Sequence, residues 1–262
     1  MCGIIGYVGR RPCKSFIFEG LTRLEYRGYD SSGIAVSVAE QINIIKTEGK
    51  LERLRPLLGS LPEDAVVGMG HTRWATHGPP NTVNAHPHGG SKCAIVHNGI
   101  LDNYMELKIM LLESGVKFSS DTDSEIIAHL IEREIEYVAD LKKAILNVLG
   151  LLKGVFALGV MSIMEPDKIY LVKQGSPLVV GLGDGESFFA SDALTMSEHT
   201  NRGIFLEDGE FACLSANGAD VWDFFGAPLE KEVKTFEFPK GSIAKGEYRH
   251  YMLKEIHEQP GI

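Results

Sequence analysis

The order of the predicted elements favours an α+β fold, with two sheets and helices packed on them. Apolar runs in the first hundred residues predict strands, three helical stretches follow, and strand-like runs return after Gly150. Because strands and helices come in blocks rather than in regular alternation, a parallel βαβ array is disfavoured. With 262 residues, of which 44% are hydrophobic and 23% charged, the chain is long enough to bury a full core.

The first part of the chain predicts a strand, a helix, a hairpin and two more strands. The predicted strands are residues 3–8, 34–38, 42–46, 66–70 and 93–97. In residues 12–26 the apolar positions recur at helical spacing, and Pro12 suits a first helical turn. Residues 74–90 form a loop rich in Pro, Gly, His and Asn, and loops of that length are usually functional.

The middle of the chain predicts three helices. They are residues 104–114, a helix that opens at Thr122-Asp123-Ser124-Glu125, and residues 141–149. The opening of the second helix has the pattern of a capping box, in which Thr and Glu satisfy backbone groups of the first turn. The strands predicted after Gly150 are residues 155–163, 168–172, 178–182, 187–190, 204–206, 210–214 and 220–222.

Charge and cysteine content exclude several classes of protein. Lys and Arg number 26 against 35 Asp and Glu, and a net charge of −9 argues against a nucleic-acid binder. The four cysteines form no CxxC pair, which favours free thiols in a reducing compartment, and we expect a cytoplasmic protein. The amino terminus lacks the pattern of a signal peptide. The apolar stretch 144–164 contains Lys153, so no membrane association is expected.

Cys2 is a candidate nucleophile. Removal of Met1 would expose a residue that carries both a thiol and a free α-amine. An α-amine has a pKa of about 7.7–8.0, so it can accept the proton of the thiol near neutral pH. A chance cysteine near a terminus is the alternative, but a cysteine that leads directly into a buried strand is unusual because termini normally fray.

Three further stretches carry polar groups next to predicted strands or helix ends. Arg73 follows a strand at the mouth of the long loop and suits bidentate capture of a carboxylate. Asn98-Gly99 follows another strand, where it is either a simple turn or a pair of N–H donors to an oxyanion. Asp123 lies in a first helical turn, which alone explains a carboxylate, or it binds a substrate ammonium. Arg27 belongs to a turn and is either structural or part of a lid.

Six stretches together resemble a known family. They are Cys2-Gly3-Ile4-Ile5-Gly6, residues 24–31, residues 71–78, Asn84-Ala85-His86-Pro87, His97-Asn98-Gly99 and Thr122-Asp123. They are similar to class II glutamine amidotransferase domains, and they span nearly the whole chain in the expected order. Glu25-Tyr26-Arg27-Gly28-Tyr29 and the tail 248–260 resemble the amino-sugar-forming branch of that family, since the purine branch typically has Gln-His-Arg-Gly-Gln at the first of these places.

The resemblance implies an N-terminal-nucleophile hydrolase fold, which is a four-layer αββα sandwich with two largely antiparallel sheets. It implies a glutaminase domain over residues 1–240 and a linker over residues 241–262 towards sugar-isomerase domains that this chain does not contain. The full-length enzyme is expected to be a homodimer, with the isomerase domain as the partner of this one. No cofactor, metal, nucleic acid or membrane is implied.

The resemblance also assigns roles to individual residues. It makes Cys2 the nucleophile, with its α-amine as the base through a water, and it makes Asn98 and the Gly99 N–H the oxyanion hole. It implies that Arg73 holds the α-carboxylate of the substrate and that Asp123 holds its α-ammonium. The remaining pocket residues are Trp74, Thr76 and His77, with Arg27 helping to order the closed state.

The implied reaction is hydrolysis of L-glutamine to L-glutamate and ammonia through a glutamyl thioester. The ammonia would serve the conversion of fructose 6-phosphate to glucosamine 6-phosphate in a longer enzyme. Three alternatives stay open: the glutaminase domain of another class II amidotransferase, a metal hydrolase built on the histidines between His71 and His97, and a non-catalytic module if Met1 is retained.

Overall fold

The structure is a computed structural model that describes residues 2–89, 91–236 and 257. Met1 and, apart from His257, the predicted linker 241–262 lie outside the described residues. The helices are α1 (Lys14–Leu24), α2 (Tyr104–Glu113), α3 (Ser124–Val138) and α4 (Leu141–Leu149). The strands are β1 (Gly3–Val8), β2 (Ser31–Val38), β3 (Gln41–Glu48), β4 (Val67–Arg73), β5 (His88–Gly89), β6 (Cys93–Leu101), β7 (Gly154–Ser162), β8 (Ile169–Gln174), β9 (Val179–Leu182), β10 (Ser187–Ala190), β11 (Arg202–Phe205), β12 (Glu210–Ser215), β13 (Gly218–Asp223), β14 (Pro228–Leu229) and β15 (Lys234–Thr235).

The strands form two antiparallel sheets. The first has the order β15-β11-β9-β10-β1-β4-β2-β3, and the second has the order β14-β13-β12-β8-β7-β6-β5. β1 lies between β10 and β4, so the first strand of the chain is hydrogen-bonded on both sides. The residue before it, Cys2, is therefore attached to the centre of a sheet rather than to a fraying end.

Three apolar clusters separate the chain into four layers. α1 covers the outer face of the first sheet, where Ile17 packs in one cluster with Ile5. α3 and α4 cover the outer face of the second sheet, where Ile127 packs in one cluster with Phe156. The cluster between the sheets includes Ile4, Met69, Val96 and Phe189. Because alternate residues of a strand face opposite sides, both faces of each sheet are buried. The predicted αββα sandwich is confirmed.

Most predicted elements are present, but one local prediction is wrong. β6 continues to Leu101 instead of ending before a turn at Asn98-Gly99. Gly99 lies opposite Phe156 in the pairing with β7, so the Asn-Gly dipeptide is strand interior. The prediction failed because turn preference is a local signal, whereas the pairing partner is more than fifty residues away.

The predicted capping box at the start of α3 forms only in part. The Glu125 N–H donates to Thr122 Oγ1 at 3.4 Å, as the pattern requires. The Glu125 carboxylate, however, reaches back to the N–H groups of Ser119 and Ser120, at 2.8 and 2.6 Å. Burial acts to raise the pKa of Glu125, but hydrogen bonds from His129, Ser120 and Ser119 outweigh it and hold that pKa well below its usual range. The segment before α3 is thereby held firmly.

The apolar stretch 144–164 runs through the end of α4, a turn and β7. Among the helices of the described residues, none has the length and apolar character needed to cross a membrane.

Candidate active site at the amino terminus

The Cys2 thiol lines a small cleft that residues of both sheets and the N-terminus of α3 enclose. The Trp74 N–H donates to Cys2 Sγ at 3.2 Å. The carbonyl oxygen of Cys2 accepts from Arg27 Nε at 3.2 Å and from Asn98 Nδ2 at 3.1 Å. The predicted residues that line the cleft are Cys2, Arg73, Trp74, Thr76, His77, Gly99 and Asp123. The structure thus brings all nine predicted site residues together, seven in the cleft wall and two on the Cys2 carbonyl.

The environment of Cys2 keeps its thiol protonated near neutral pH. Burial raises the pKa of the thiol above its ordinary value of 9.0, and the nearby Asp30 carboxylate acts in the same direction. The Trp74 N–H and the positive charge of Arg73 oppose that rise without cancelling it. A thiol in this state is a weak nucleophile, so the site needs a base that removes its proton.

Arg73 is buried at the end of β4 and organises the loop that follows it. Its guanidinium donates to the carbonyl oxygens of Pro79 at 3.2 Å, Gly78 at 3.3 Å and His77. Burial lowers the pKa of Arg73, but the carboxylates of Asp30 and Asp123 oppose that change, and an arginine stays charged in proteins. The side chain supports its own loop while it lines the cleft.

The rim of the cleft is formed by the segment after Arg73. Trp74 is 49% exposed, and the edge of its ring meets Tyr29 at a centroid distance of 5.8 Å. His77 Nδ1 lies 3.4 Å from Thr76 Oγ1, and the His77 ring packs against Tyr104 at 5.2 Å. These side chains are positioned to cover a small molecule that enters the cleft.

The second sheet contributes Gly99 and Asn98 from β6. A side chain at Gly99 is excluded, because its Cβ would lie 1.9 Å from the Val155 carbonyl oxygen and its φ is +141°. Alternate N–H groups of a strand face the same edge, and the N–H of Leu101 on this edge donates to Asp123 Oδ2 at 2.9 Å. The N–H of Gly99 therefore faces the same edge, where Gly99 lines the cleft.

Asp123 sits at the N-terminus of α3 and is buried. One carboxylate oxygen accepts from Leu101, as described above, and the other lies 3.4 Å from the Ser124 hydroxyl, which donates to it. The side chain lines the same cleft as Arg73. An anion and a cation thus face one small volume, and this is the pair of charges that an α-amino acid requires.

Sequence reasoning missed two residues that hold the loop in place. Asp30 accepts the N–H of Ala75, and its own N–H donates to the Arg73 carbonyl oxygen at 3.2 Å. Asn84 donates to the Pro79 carbonyl oxygen at 3.0 Å and accepts the N–H of Asp121 at 2.9 Å. Both residues lie in the quoted motifs, but no local pattern indicates contacts made across 45 and 37 positions.

Three buried histidines, one from β4 and two from the long loop, pack their rings together and are neutral. The rings of His71 and His86 lie 4.1 Å apart in a stacked arrangement, and His88 meets His86 edge-on at 4.5 Å. Burial lowers the pKa of His71 to about 3 and the pKa values of His86 and His88 well below 6.5. Within residues 2–89, 91–236 and 257, no group of three or more His, Cys, Asp or Glu side chains is arranged to hold a metal ion.

Comparison with known proteins finds similarity to a family model over part of the chain and to longer relatives over nearly all of it. Residues 81–198 match the model of a glutamine amidotransferase domain. The chain is 48% identical over 262 residues to a glutamine–fructose-6-phosphate aminotransferase (isomerizing) of Aquifex aeolicus. It is 47% identical over 263 residues to the enzyme of the same name from Thermococcus kodakarensis. Each alignment covers 99% of this chain and 44% of the relative, so the chain spans less than half the length of these relatives.

Solved structures with the same fold include another amidotransferase. A glutamine phosphoribosylpyrophosphate amidotransferase from B. subtilis, in complex with ADP and GMP, matches with a TM-score of 0.73 and 26% identity over 85% of this chain and 49% of that chain. A glutamine aminotransferase class-II domain protein from Silicibacter pomeroyi matches with a TM-score of 0.57 and 14% identity, over 87% of this chain and 100% of that chain. The second match bears on the fold alone.

Proposed function

We propose that this chain carries a glutamine amidotransferase domain, as its matches to the domain model and to longer relatives support, and that it hydrolyses the side-chain amide of glutamine with Cys2 as the nucleophile. The observation that carries the proposal is the placement of the Cys2 thiol in one cleft with Arg73 and Asp123. A nucleophile next to a paired cation and anion fits an α-amino acid with an electrophilic side chain. Removal of Met1 is part of the proposal, because only a free α-amine can serve as a base.

The proposed reaction has two halves. The Cys2 α-amine takes the thiol proton, Sγ attacks the amide carbon, and the oxyanion accepts from the Gly99 N–H and from Asn98 Nδ2. Asn98 Nδ2 has two N–H bonds, so it can contact the oxyanion while it donates to the Cys2 carbonyl oxygen. The carbon–nitrogen bond then breaks, and the ammonium of Cys2 protonates the leaving amine, which departs as ammonia. Water cleaves the thioester to glutamate and restores the thiol.

Binding of the substrate uses the two charged side chains. Arg73 would hold the α-carboxylate with the planar fork that suits this group, and Asp123 would hold the α-ammonium. Trp74, Thr76 and His77 would close over the substrate from the rim. A substrate clamped at both ends gains from proximity, which reaches about 7–11 kcal/mol in the best intramolecular cases.

A longer enzyme provides the context for this activity. We propose a glutaminase domain over residues 1–240 and a linker over residues 241–262 that leads to an isomerase domain. The ammonia would serve the conversion of fructose 6-phosphate to glucosamine 6-phosphate, as the names of the relatives suggest. The full-length enzyme is proposed to be a homodimer in the cytoplasm, and the four free cysteines support a reducing compartment.

Covalent labelling tests the nucleophile. A glutamine analogue that carries a diazoketone in place of the amide is incubated with protein whose free amino-terminal Cys2 has been verified by intact mass. Peptide mapping is expected to find one adduct, on Cys2, and glutamate release is expected to stop in step with labelling. Cys213→Ala is the matched control, and it should label and turn over like the wild type. A label on a different cysteine, or glutamate release by Cys2→Ala, would reject the proposal.

A further inference from the structure

The side chains of two buried histidines form hydrogen bonds with the backbone of His97, the residue that precedes Asn98 and Gly99. His71 Nε2 donates to the His97 carbonyl oxygen at 3.0 Å, and the His97 N–H donates to His86 Nδ1 at 3.3 Å. The stacking of the His71 and His86 rings joins the two contacts into one unit. We call this unit, made of the His71 and His86 side chains on the His97 peptide groups, the imidazole clamp.

The imidazole clamp lies on the edge of β6 just beyond the end of its pairing with β5. β5 is the last strand of the second sheet, and its described residues pair with Ala94 and Ile95 of β6. The N–H and the C=O of a strand residue face the same edge, and on this edge those of His97 are the next to need partners. His97 is buried, so its unpaired peptide groups would cost free energy. The two imidazoles supply the hydrogen bonds that a neighbouring strand would otherwise form with His97.

We propose that His71 and His86 are positioning residues that set the direction of the oxyanion donors, an inference that rests on the function proposed above. The Gly99 N–H and the Asn98 side chain follow the clamped peptide directly along β6. His71 belongs to β4 of the first sheet and precedes Arg73 by two residues. The clamp therefore also fixes the separation between the sheet that carries Arg73 and the sheet that carries Gly99.

The clamp works only with neutral rings in one tautomer. A carbonyl oxygen can only accept, so His71 holds its proton on Nε2, and His86 Nδ1 must be bare to accept the His97 N–H. The positive charge of Arg73 reinforces the effect of burial on both rings, whereas the contacts of His71 with the His97 carbonyl oxygen and the Asn98 side chain oppose that effect without cancelling it. The remaining groups that face these rings are the side chains of His88 and His97.

Paired substitutions distinguish the effect of losing the hydrogen bond from the effect of changing the volume of the side chain. His71→Phe and His86→Phe keep an aromatic ring but lose the clamp, whereas His71→Gln keeps a donor near Nε2 and His86→Asn keeps an acceptor near Nδ1. The Phe variants should lower kcat for glutamate release about 100-fold, the loss typical of one oxyanion donor, with KM within about threefold of wild type. The Gln and Asn variants should recover most of that loss.

Two controls show that the loss lies in the oxyanion step. Alkylation of Cys2 by iodoacetamide passes through no oxyanion, so its rate should be the same in every variant and in wild type. His199→Gln, a histidine that packs on Phe16 away from the cleft, should keep wild-type kinetics. Equal loss in the Phe variants and their polar counterparts, a loss confined to KM, or unchanged kcat in both Phe variants would overturn the inference.

A spectroscopic measurement tests the clamp without turnover. Imidazole nitrogen chemical shifts of the wild-type protein should show His71 and His86 neutral between pH 6 and pH 8, each with its proton on Nε2. A proton on Nδ1 of either ring would overturn the clamp even in an active enzyme. Wild-type protein that has the expected tautomers but releases no glutamate would instead reject the proposed function.

Discussion

The two sheets contribute different kinds of chemical group to the same cleft. The first sheet contributes the reactive and charged groups, Cys2 at the start of β1 and Arg73 at the end of β4, beside the exposed ring of Trp74. The second sheet contributes Asn98 and Gly99 of β6, which present uncharged N–H groups, and Asn98 is only 6% exposed. One side of the cleft thus carries the reactive and charged groups, and the other carries uncharged N–H donors.

The two sides of the cleft also differ in the hydrogen bonds that hold their residues in place. Arg73 is held by carbonyl oxygens four to six residues further along its own loop. The backbone next to Asn98 is held by His71 and His86, which come from the other sheet and from the long loop. Short-range contacts can rearrange when a ligand binds, whereas long-range buried contacts are in place beforehand. We therefore expect changes at Arg73 to alter KM and changes at Asn98 or at the histidines that support it to alter kcat.

Asn98→Ala should produce the largest effect on the neutral side. Loss of an oxyanion donor typically costs about 10²- to 10³-fold in kcat, and KM for glutamine should stay within about threefold. Steady-state glutamate release measures both constants. Asn217→Ala, at an exposed turn, is the control. An increase in KM with normal kcat would place Asn98 in ground-state binding and break the contrast between the two sides.

Arg73→Lys should raise KM for glutamine about 10- to 100-fold, because lysine cannot reproduce the planar fork that holds a carboxylate. The same change removes contacts to the Gly78 and Pro79 carbonyl oxygens, so the loop should become easier to cleave by protease. Limited proteolysis and steady-state kinetics check the two effects. Arg202→Lys, at an exposed strand end, is the control. An unchanged KM would remove the carboxylate role from Arg73.

Asp123→Asn should raise KM about tenfold, which corresponds to about 1.4 kcal/mol for a lost charge contact. The Asn side chain retains an oxygen for the Leu101 N–H, so the local structure should persist. Des-amino glutamine, which lacks the α-ammonium, provides the sharpest check. Wild type and variant should process it equally poorly. If the variant were impaired with this substrate too, Asp123 would have a structural role rather than a binding role.

Glu125→Gln should leave kinetics nearly unchanged but destabilise the protein by about 2 kcal/mol at neutral pH, the range for hydrogen bonds to a charged group. The carboxylate accepts from the N–H groups of Ser119 and Ser120, and the amide can replace only part of that set. Chemical denaturation measures the loss. Glu113→Gln, at the exposed end of α2, is the control.

Acid should abolish the difference between wild type and Glu125→Gln. The folded state holds the pKa of Glu125 below its ordinary value of 4.5, so the carboxylate stabilises the fold above pH 4.5. That contribution is lost as the pH falls below 4.5 towards the folded pKa. Denaturation curves of the two proteins should therefore converge in acid. A constant gap at all pH values would show that the carboxylate charge is not the cause.

Local signals predicted the parts of the fold whose contacts are local. α4 has the predicted bounds, because Asp140 accepts the Lys143 N–H at 2.9 Å and caps the helix within three residues. β1 has its predicted bounds because its apolar run leaves little choice. Of the two alternatives left open at Asn98-Gly99, the turn is excluded because pairing with β7 overrides a local preference. Each outcome follows from how far along the chain the deciding partner lies.

The candidate site divides in the same way. The residues with reactive or charged groups, Cys2, Arg73 and Asp123, stand out in the sequence because their chemistry is unusual at strand and helix ends. The residues that hold them, such as Asp30 and Asn84, have ordinary chemistry and are recognised only by their contacts. Local sequence gave no sign that the histidines at positions 71 and 86 pack their rings together, which only the distance between the rings shows.

The amino-acid sequence by itself determined the α+β class and the set of reactive groups, because periodicity, composition and residue chemistry are properties of the chain, whereas the αββα arrangement was implied by the family resemblance. The tertiary structure alone decided that Gly99 is strand interior and that His71 reaches the carbonyl oxygen of His97. Hydrogen bonds act over about 3 Å, and no rule of spacing along a chain states which distant groups the packing of two sheets will bring to that distance.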